Sequence, residues 1–210
     1  MQGIQVDFIF QIAVLIMSVV IHEVSHGYAA SFLGDQTARY QGRLTLNPVK
    51  HLDPFGSFLV PAASYFLGGF IFGWAKPVPY NPYNLRPGRW SEALVAVAGP
   101  ASNIILALVF GLLLRIGMAS GASWASPAFV QITALIVFIN ILLAIFNLVP
   151  IPPLDGSKLF FTFFPNQLNK MTVFFERYGL VLLLFFIFFL WRFIFPVIGL
   201  IFRLITGIAI

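Results

Sequence analysis

Long apolar blocks with few charges constrain the fold of this chain more than any other feature of its sequence. Five blocks recur along the 210 residues, and most reach the roughly 20 residues that a helix needs to cross a bilayer. They cover residues 8–33, 55–74, 92–118, 129–149 and 180–210. Only 9% of the residues are charged, against about 25% in a soluble domain. We therefore predict an all-α polytopic membrane protein with about four to five transmembrane helices.

Composition also limits the partners and the chemistry. The chain contains no Cys, which excludes disulfides and thiolate metal ligands. Its net charge is +5, but Lys and Arg are scattered and form no nucleic-acid-binding face. We therefore expect the lipid bilayer to be the main partner, with the protein in the cell membrane as a multi-pass protein. The even composition indicates a single domain over residues 1–210, and the first block resembles a permanent span because no Lys or Arg precedes it.

Several stretches between and within the blocks allow more than one structure. Residues 39–47 alternate weakly around a Gly, which predicts either a short β-hairpin with an edge for substrate or an interfacial loop. Ser91 is a candidate helix cap for the third block. The last block contains Pro196 and predicts either one kinked span or a span followed by an interfacial helix.

Two histidines and a glutamate lie together in the first block. His22 and His26 are four residues apart, which places both imidazoles on one helix face within reach of one ion. Glu23 lies beside that face, where it acts on water rather than on the metal, as in the H-E-x-x-H pattern of zinc proteases. Ionisable groups at membrane depth are costly unless paired or hydrated. A shared cation meets this need, and the alternative is a polar lining of a water cavity.

A catalytic zinc takes three protein ligands and keeps one position open. His51, Asp53 and Asp155 are the candidates for the third ligand. Asp155 follows an apolar helix that the prolines at 150, 152 and 153 cannot continue, and Gly156 permits a sharp turn after it. This pattern favours Asp155 over the other two, and its alternative role is to cap a following helix.

Three motifs, in this order, resemble the site-2 protease family of intramembrane zinc metalloproteases, in particular its small prokaryotic members. They are His22-Glu23-Val24-Ser25-His26, Ala98-Gly99-Pro100-Ala101-Ser102-Asn103 and Asn147-Leu148-Val149-Pro150-Ile151-Pro152-Pro153-Leu154-Asp155-Gly156. The stretches 42–48 and 73–79 are also similar, and 210 residues leave no room for a PDZ or CBS domain.

The resemblance implies a role for six residues. His22, His26 and Asp155 bind zinc, and Glu23 is the catalytic base. Asn147 steadies the reacting carbonyl, and Asn103 is assigned to substrate binding.

A common metal site also constrains the topology. Its ligands meet only if the ends of the first and fourth blocks lie on the same side of the membrane. Because the third and fourth blocks form an out-and-back pair, residues 55–74 are expected to dip into the membrane and return, or to pack irregularly. The basic loops then share one side, which the positive-inside bias makes cytoplasmic, with the N-terminus outside.

The implied activity is hydrolysis of a peptide bond in or near a transmembrane segment of a membrane protein, as in regulated intramembrane proteolysis. One alternative is a membrane adaptor with a structural zinc, but such a site does not need Glu23. Another is a metal or proton transporter, which would need more ionisable groups along the third and fourth blocks than the sequence contains there.

Overall fold

The computed structural model describes residues 8–53, 55–59, 66, 75–120, 124–164 and 168–208. The α-helices are α1 (Phe8–Phe32), α2 (Thr37–Tyr40), α3 (Ser91–Ala119), α4 (Pro127–Asn147), α5 (Asp155–Phe163), α6 (Leu168–Phe185) and α7 (Trp191–Thr206). Short 3₁₀ turns lie at Pro48–His51 and Pro82–Asn84, and π-helical turns at Phe55–Leu59 and Phe186–Leu190. Within these ranges the protein forms no β-strand.

Four helical runs are long and apolar enough to cross a membrane: Phe10–Phe32, Ser91–Ala119, Pro127–Asn147 and Arg177–Thr206. They confirm the predicted all-α polytopic fold. The fourth run joins α6 to α7 through a π-helical turn and continues past Pro196, so the described part of the last block is one continuous helix. Most of 55–74 falls outside the described residues, and the predicted re-entrant course of that block falls there too.

Local chemistry accounts for the start of α4. The Ser126 hydroxyl accepts a hydrogen bond from the Phe129 N–H, and Pro127 follows as the first helical residue, which together start α4. The prediction that Ser91 caps α3 is wrong. Trp90 occupies the N-cap position, whereas the Ser91 hydroxyl donates to the Arg86 carbonyl.

The β-hairpin predicted over 39–47 is also wrong. Buried Asp35 accepts hydrogen bonds from the Thr37 N–H and hydroxyl, and helix α2 follows. The chain then turns at Gly42, whose φ of 62° lies in the left-handed region, and the Arg43 N–H donates to the Ala38 carbonyl. These local bonds use the backbone groups that a strand ladder would need.

Helix α3 lies at the centre of the bundle and contacts α1, α4, α5 and α7. Its core with α4 and α7 is formed by Ala107, Val137, Ile141, Ile198 and Phe202. Small residues allow close approach: a Cβ at Gly111 would overlap the Ile205 side chain. The site described next lies where α1, α3, α4 and α5 converge.

Candidate metal centre

Three side chains with metal-binding atoms meet at one point inside the bundle. The Nε2 atoms of His22 and His26 are 3.0 Å apart, and the Asp155 Oδ2 lies 3.1 Å from each of them. The two histidines are 5% and 8% exposed, and the Asp155 side chain is 14% exposed. Among the described residues, this is the one group of three or more His, Asp or Glu whose ligand atoms come this close.

Helix α1 presents both imidazoles because residues four apart share one helix face. Each ring is fixed through its other nitrogen. The His26 Nδ1 donates to the Val95 carbonyl at 2.7 Å, and the His22 Nδ1 donates to the Asn103 Oδ1 at 2.6 Å. Both acceptors lie on α3. Both rings therefore turn an Nε2 lone pair toward the Asp155 carboxylate.

The acceptor of His22 is itself held by a buried chain of amides. The Asn103 Nδ2 donates to the Asn140 Oδ1 at 2.8 Å, and the Asn140 Nδ2 donates to the Ser18 Oγ at 3.0 Å. Both asparagines are 0% exposed. Because the Asn103 amide nitrogen is engaged by Asn140, its oxygen must face His22, which fixes the imidazole tautomer.

This arrangement fits a zinc ion. Two imidazole lone pairs and a carboxylate oxygen repel one another at 3.0–3.1 Å unless a cation lies among them. Zinc bonds of 2.0–2.2 Å set tetrahedral ligand separations of about 3.3 Å, close to these three edges. Gly99 of α3 forms the floor of the site, since a Cβ there would overlap the Nε2 atoms of His22 and His26. The missing side chain leaves the space that an ion needs.

The third ligand candidate is placed by the turn that follows α4. Asp155 is the first residue of α5, and Val149 and Leu154 of the preceding loop pack on Leu183. The loop contains a cis peptide bond between Pro152 and Pro153. A Cβ at Gly156, the residue after Asp155, would overlap the backbone of residues 148 and 149. This glycine is therefore required for close approach of two backbone segments.

Glu23 follows His22 in α1 and is not one of the three residues whose ligand atoms meet. It is half-buried, and its Oε2 accepts a hydrogen bond from the Val78 N–H at 2.9 Å. This leaves the second carboxylate oxygen for another partner. The sequence offered no signal for the Val78 contact, which joins residues 55 positions apart.

The remaining predicted site residues take other positions. Asn103 is fully buried behind His22, and the Asn147 Nδ2 donates to the Leu143 carbonyl of its own helix. His51 donates from Nε2 to the Thr45 carbonyl. The Asp53 carboxylate accepts from the backbone N–H groups of residues 55 and 56. Neither of these two residues joins the His22 cluster.

Sequence reasoning missed Asn140 and Ser18 as members of the site. A signal was present for Asn140, because an amide in the middle of an apolar membrane helix requires a polar partner. The partner itself was not visible, since Asn103 is 37 positions away in the chain.

The chain is similar to a known peptidase family and to several named proteins. A model of peptidase family M50 matches residues 10–117 and 111–190. The Bacillus subtilis protein named "Putative zinc metalloprotease YwhC" is 39% identical over 178 residues, covering 83% of this chain and 78% of that protein.

Two proteins named "Putative zinc metalloprotease Rip2" are also similar, from Mycolicibacterium smegmatis and Mycobacterium tuberculosis. They are 35% and 30% identical to this chain, and each match covers 71% of it. The chain spans about half (55%) of the length of these two relatives. No solved structure matches the chain significantly. The family match, the relatives and the four membrane-capable helices show that this chain belongs to peptidase family M50, the site-2 protease family, and is a zinc-dependent membrane metalloprotease.

Proposed function

We propose that the protein hydrolyses a peptide bond in or near a transmembrane segment of a membrane protein substrate. His22, His26 and Asp155 are the zinc ligands and Glu23 is the general base. The observation that carries the proposal is the set of three lone-pair donors at 3.0–3.1 Å, with a carboxylate beside them that is not part of the set. A structural zinc site needs no such carboxylate.

The depth of the site supports cleavage within the membrane. His22 lies 14 residues after Phe8 and 10 residues before Phe32, the two ends of α1. At about 1.5 Å per residue, these separations are roughly 21 Å and 15 Å along the helix axis. A substrate bond must therefore enter the bundle to reach the site. A helical substrate must also unwind there, because its peptide groups are bonded to one another.

The chemistry is divided between the ion and the side chains. Bound zinc lowers the pKa of water and polarises the scissile carbonyl. Glu23 takes the proton of the attacking water and passes it to the leaving amine. Asn147, eight residues before Asp155 at the end of α4, is the proposed donor to the substrate carbonyl oxygen. This role requires its amide to leave the Leu143 carbonyl.

The charge distribution supports an orientation with the metal centre toward the cytoplasm and the N-terminus outside. Basic residues of the described chain concentrate on the loops and short helices at the metal-centre end: Arg39, Arg43, Lys50, Lys76, Arg86, Arg89, Lys158 and Arg177. Near the opposite ends of the spans lie Arg115 and Arg203. The positive-inside bias assigns the richer side to the cytoplasm. Membrane-impermeant labelling of single cysteines at Lys50 and Lys158 in spheroplasts tests this, since labelling from outside would reverse the orientation.

The test of function uses purified protein with a generic transmembrane-helix substrate. We expect cleavage that a zinc chelator removes and added zinc restores. Cleavage that survives complete removal of zinc would overturn the proposal. Stable zinc binding without cleavage of any transmembrane substrate would favour an adaptor, and zinc flux into sealed vesicles would favour a transporter.

A further inference from the structure

A short stretch of chain outside any helix, residues 76–79, lies against α1 beside Glu23. Its backbone is held at four points. The Lys76 N–H donates to the His51 carbonyl at 2.8 Å, and the Lys76 and Pro77 carbonyls accept from the Arg43 guanidinium at 2.9 and 3.2 Å. The fourth point is the Val78 N–H, which donates to the Glu23 Oε2. These four bonds fix the backbone of the stretch in one position.

The sequence of this stretch leaves one backbone N–H donor between its two prolines. Pro77 and Pro79 have no N–H, and each restricts the residue before it to extended conformations. Val78 therefore supplies the sole backbone N–H between Lys76 and residue 80, and that group is directed at Glu23.

Packing brings the stretch directly onto the catalytic turn of α1. Val78 is 5% exposed. A Cβ built on Gly27, the residue after His26, would lie 2.7 Å from the Val78 Cγ1 and 2.5 Å from the Leu44 Cδ2. Gly27 thus allows the stretch to lie close enough for its N–H to reach the carboxylate.

Arg43 has an unusual environment for a cation. It is 7% exposed, and its bonded partners are the two consecutive carbonyls of residues 76 and 77. Both bonds are donated by the Arg43 Nη2, while its buried Nε has no hydrogen-bond partner within the described residues, so the guanidinium links two successive peptide groups of the stretch.

We propose that the Val78 N–H positions Glu23 as the general base, and that Arg43 is a positioning residue acting through this peptide. The inference rests on the proposed function, because it concerns how the proposed base is held. The N–H occupies Oε2 and restricts the flexible Glu23 side chain, so that Oε1 faces the attacking water. A displacement of about 1 Å in a reacting group can reduce turnover by about 100-fold, which sets the expected scale.

Replacing Val78 by Pro tests the role of its backbone N–H, because proline has none. Val78→Pro deletes the N–H in a stretch whose flanking prolines already impose extended backbone. Val78→Ala is the matched control, since it shortens the side chain and keeps the N–H. In the full-length protein, Val78→Pro is expected to lower kcat at least tenfold with unchanged zinc content and KM within about threefold. Val78→Ala is expected to lower kcat by much less than Val78→Pro does, and equal losses in the two variants would overturn the role of the N–H.

A double-mutant cycle with Arg43→Met tests whether Arg43 acts through the Val78 peptide, and the single Arg43→Met variant gives a second test. If Arg43 acts through the Val78 peptide, kcat of the double variant equals that of Val78→Pro, and a purely additive loss overturns the link. Wild-type kcat in Val78→Pro overturns the role of the N–H. Should Val78→Pro fail to fold, wild-type kcat in zinc-loaded Arg43→Met overturns the inference in its place.

Failure of this inference and failure of the proposed function would give different results. If Glu23→Gln is inactive while Val78→Pro cleaves normally, only this inference fails. If Glu23→Gln cleaves like wild type, the base assignment itself fails.

Discussion

Replacing Gly99 by Ala adds one methyl group at the floor of the metal centre. The Cβ would lie 2.6 Å from the His22 Nε2 and closer still to the His26 Nε2. Ordinary contact between nonbonded heavy atoms needs about 3.5 Å, so a ring nitrogen must move by roughly 0.9 Å. Metal sites tolerate deviations of about 0.2 Å in ligand distances. The methyl therefore disrupts the two imidazole ligands together.

The expected loss is at least 100-fold in zinc affinity, or about 2.8 kcal/mol at 1.4 kcal/mol per tenfold change. Loss of a hydrogen bond to a ligand typically costs 10–100-fold, and moving two ligands is the more severe change. Helix propensity acts in the opposite direction, because Ala stabilises a helix interior by about 1 kcal/mol relative to Gly. The damage should therefore appear in metal binding while the helical content of the zinc-free protein is kept.

Zinc content after dialysis against a buffered zinc solution, followed by chelator competition, measures this directly. Gly199→Ala is the matched control, because no atom lies within 4 Å of a Cβ at that helical glycine. We expect Gly199→Ala to bind zinc like wild type. One zinc per chain at wild-type affinity in Gly99→Ala would refute the placement of the ion above this glycine.

Three further predictions concern the surroundings of the site. Asn103→Leu should lower zinc affinity about 10–100-fold, because it leaves the His22 Nδ1–H unpaired, whereas Asn103→Asp should retain the metal. Equal zinc affinities for the two variants would argue against the hydrogen bond. Gly156→Ala should reduce zinc occupancy because its Cβ overlaps the Leu148 carbonyl, and full occupancy would contradict that packing. Asp35 gives a pH prediction. Burial favours its neutral form, but hydrogen bonds from residues 37, 81 and 84 hold the pKa of the carboxyl below its ordinary value. Its stabilisation is then complete above about pH 4 and is lost as pH falls through the lowered folded-state pKa; thermal unfolding of Asp35→Asn should lack this acid-dependent loss.

Features with local causes could be predicted from the sequence. The apolar blocks predicted the spans because lipid demands about 20 apolar residues wherever a helix crosses. Spacing alone placed His22 and His26 on one helix face. The prolines after α4 indicated a fixed turn before Asp155, although Gly156 serves close packing there and not a left-handed conformation.

Features that depend on distant residues could not be predicted. The hairpin at 39–47 failed because the hydrogen bonds from Thr37 to Asp35 and the turn at Gly42 outweigh a weak alternation. Asn103 accepts a hydrogen bond from His22, which lies 81 positions away in the chain. Long-range packing brings such pairs together, and no pattern within either segment records it.

Mapping the cut site in a transmembrane substrate by mass spectrometry tests the central claim most directly. Wild type and Glu23→Gln are compared in the same membrane, with zinc content measured for both. We predict one zinc per chain in each protein, and a single cut within or next to the substrate's apolar segment by wild type alone. The proposed function would be contradicted by equal cleavage in Glu23→Gln, or by a cut site confined to a soluble domain far from the membrane.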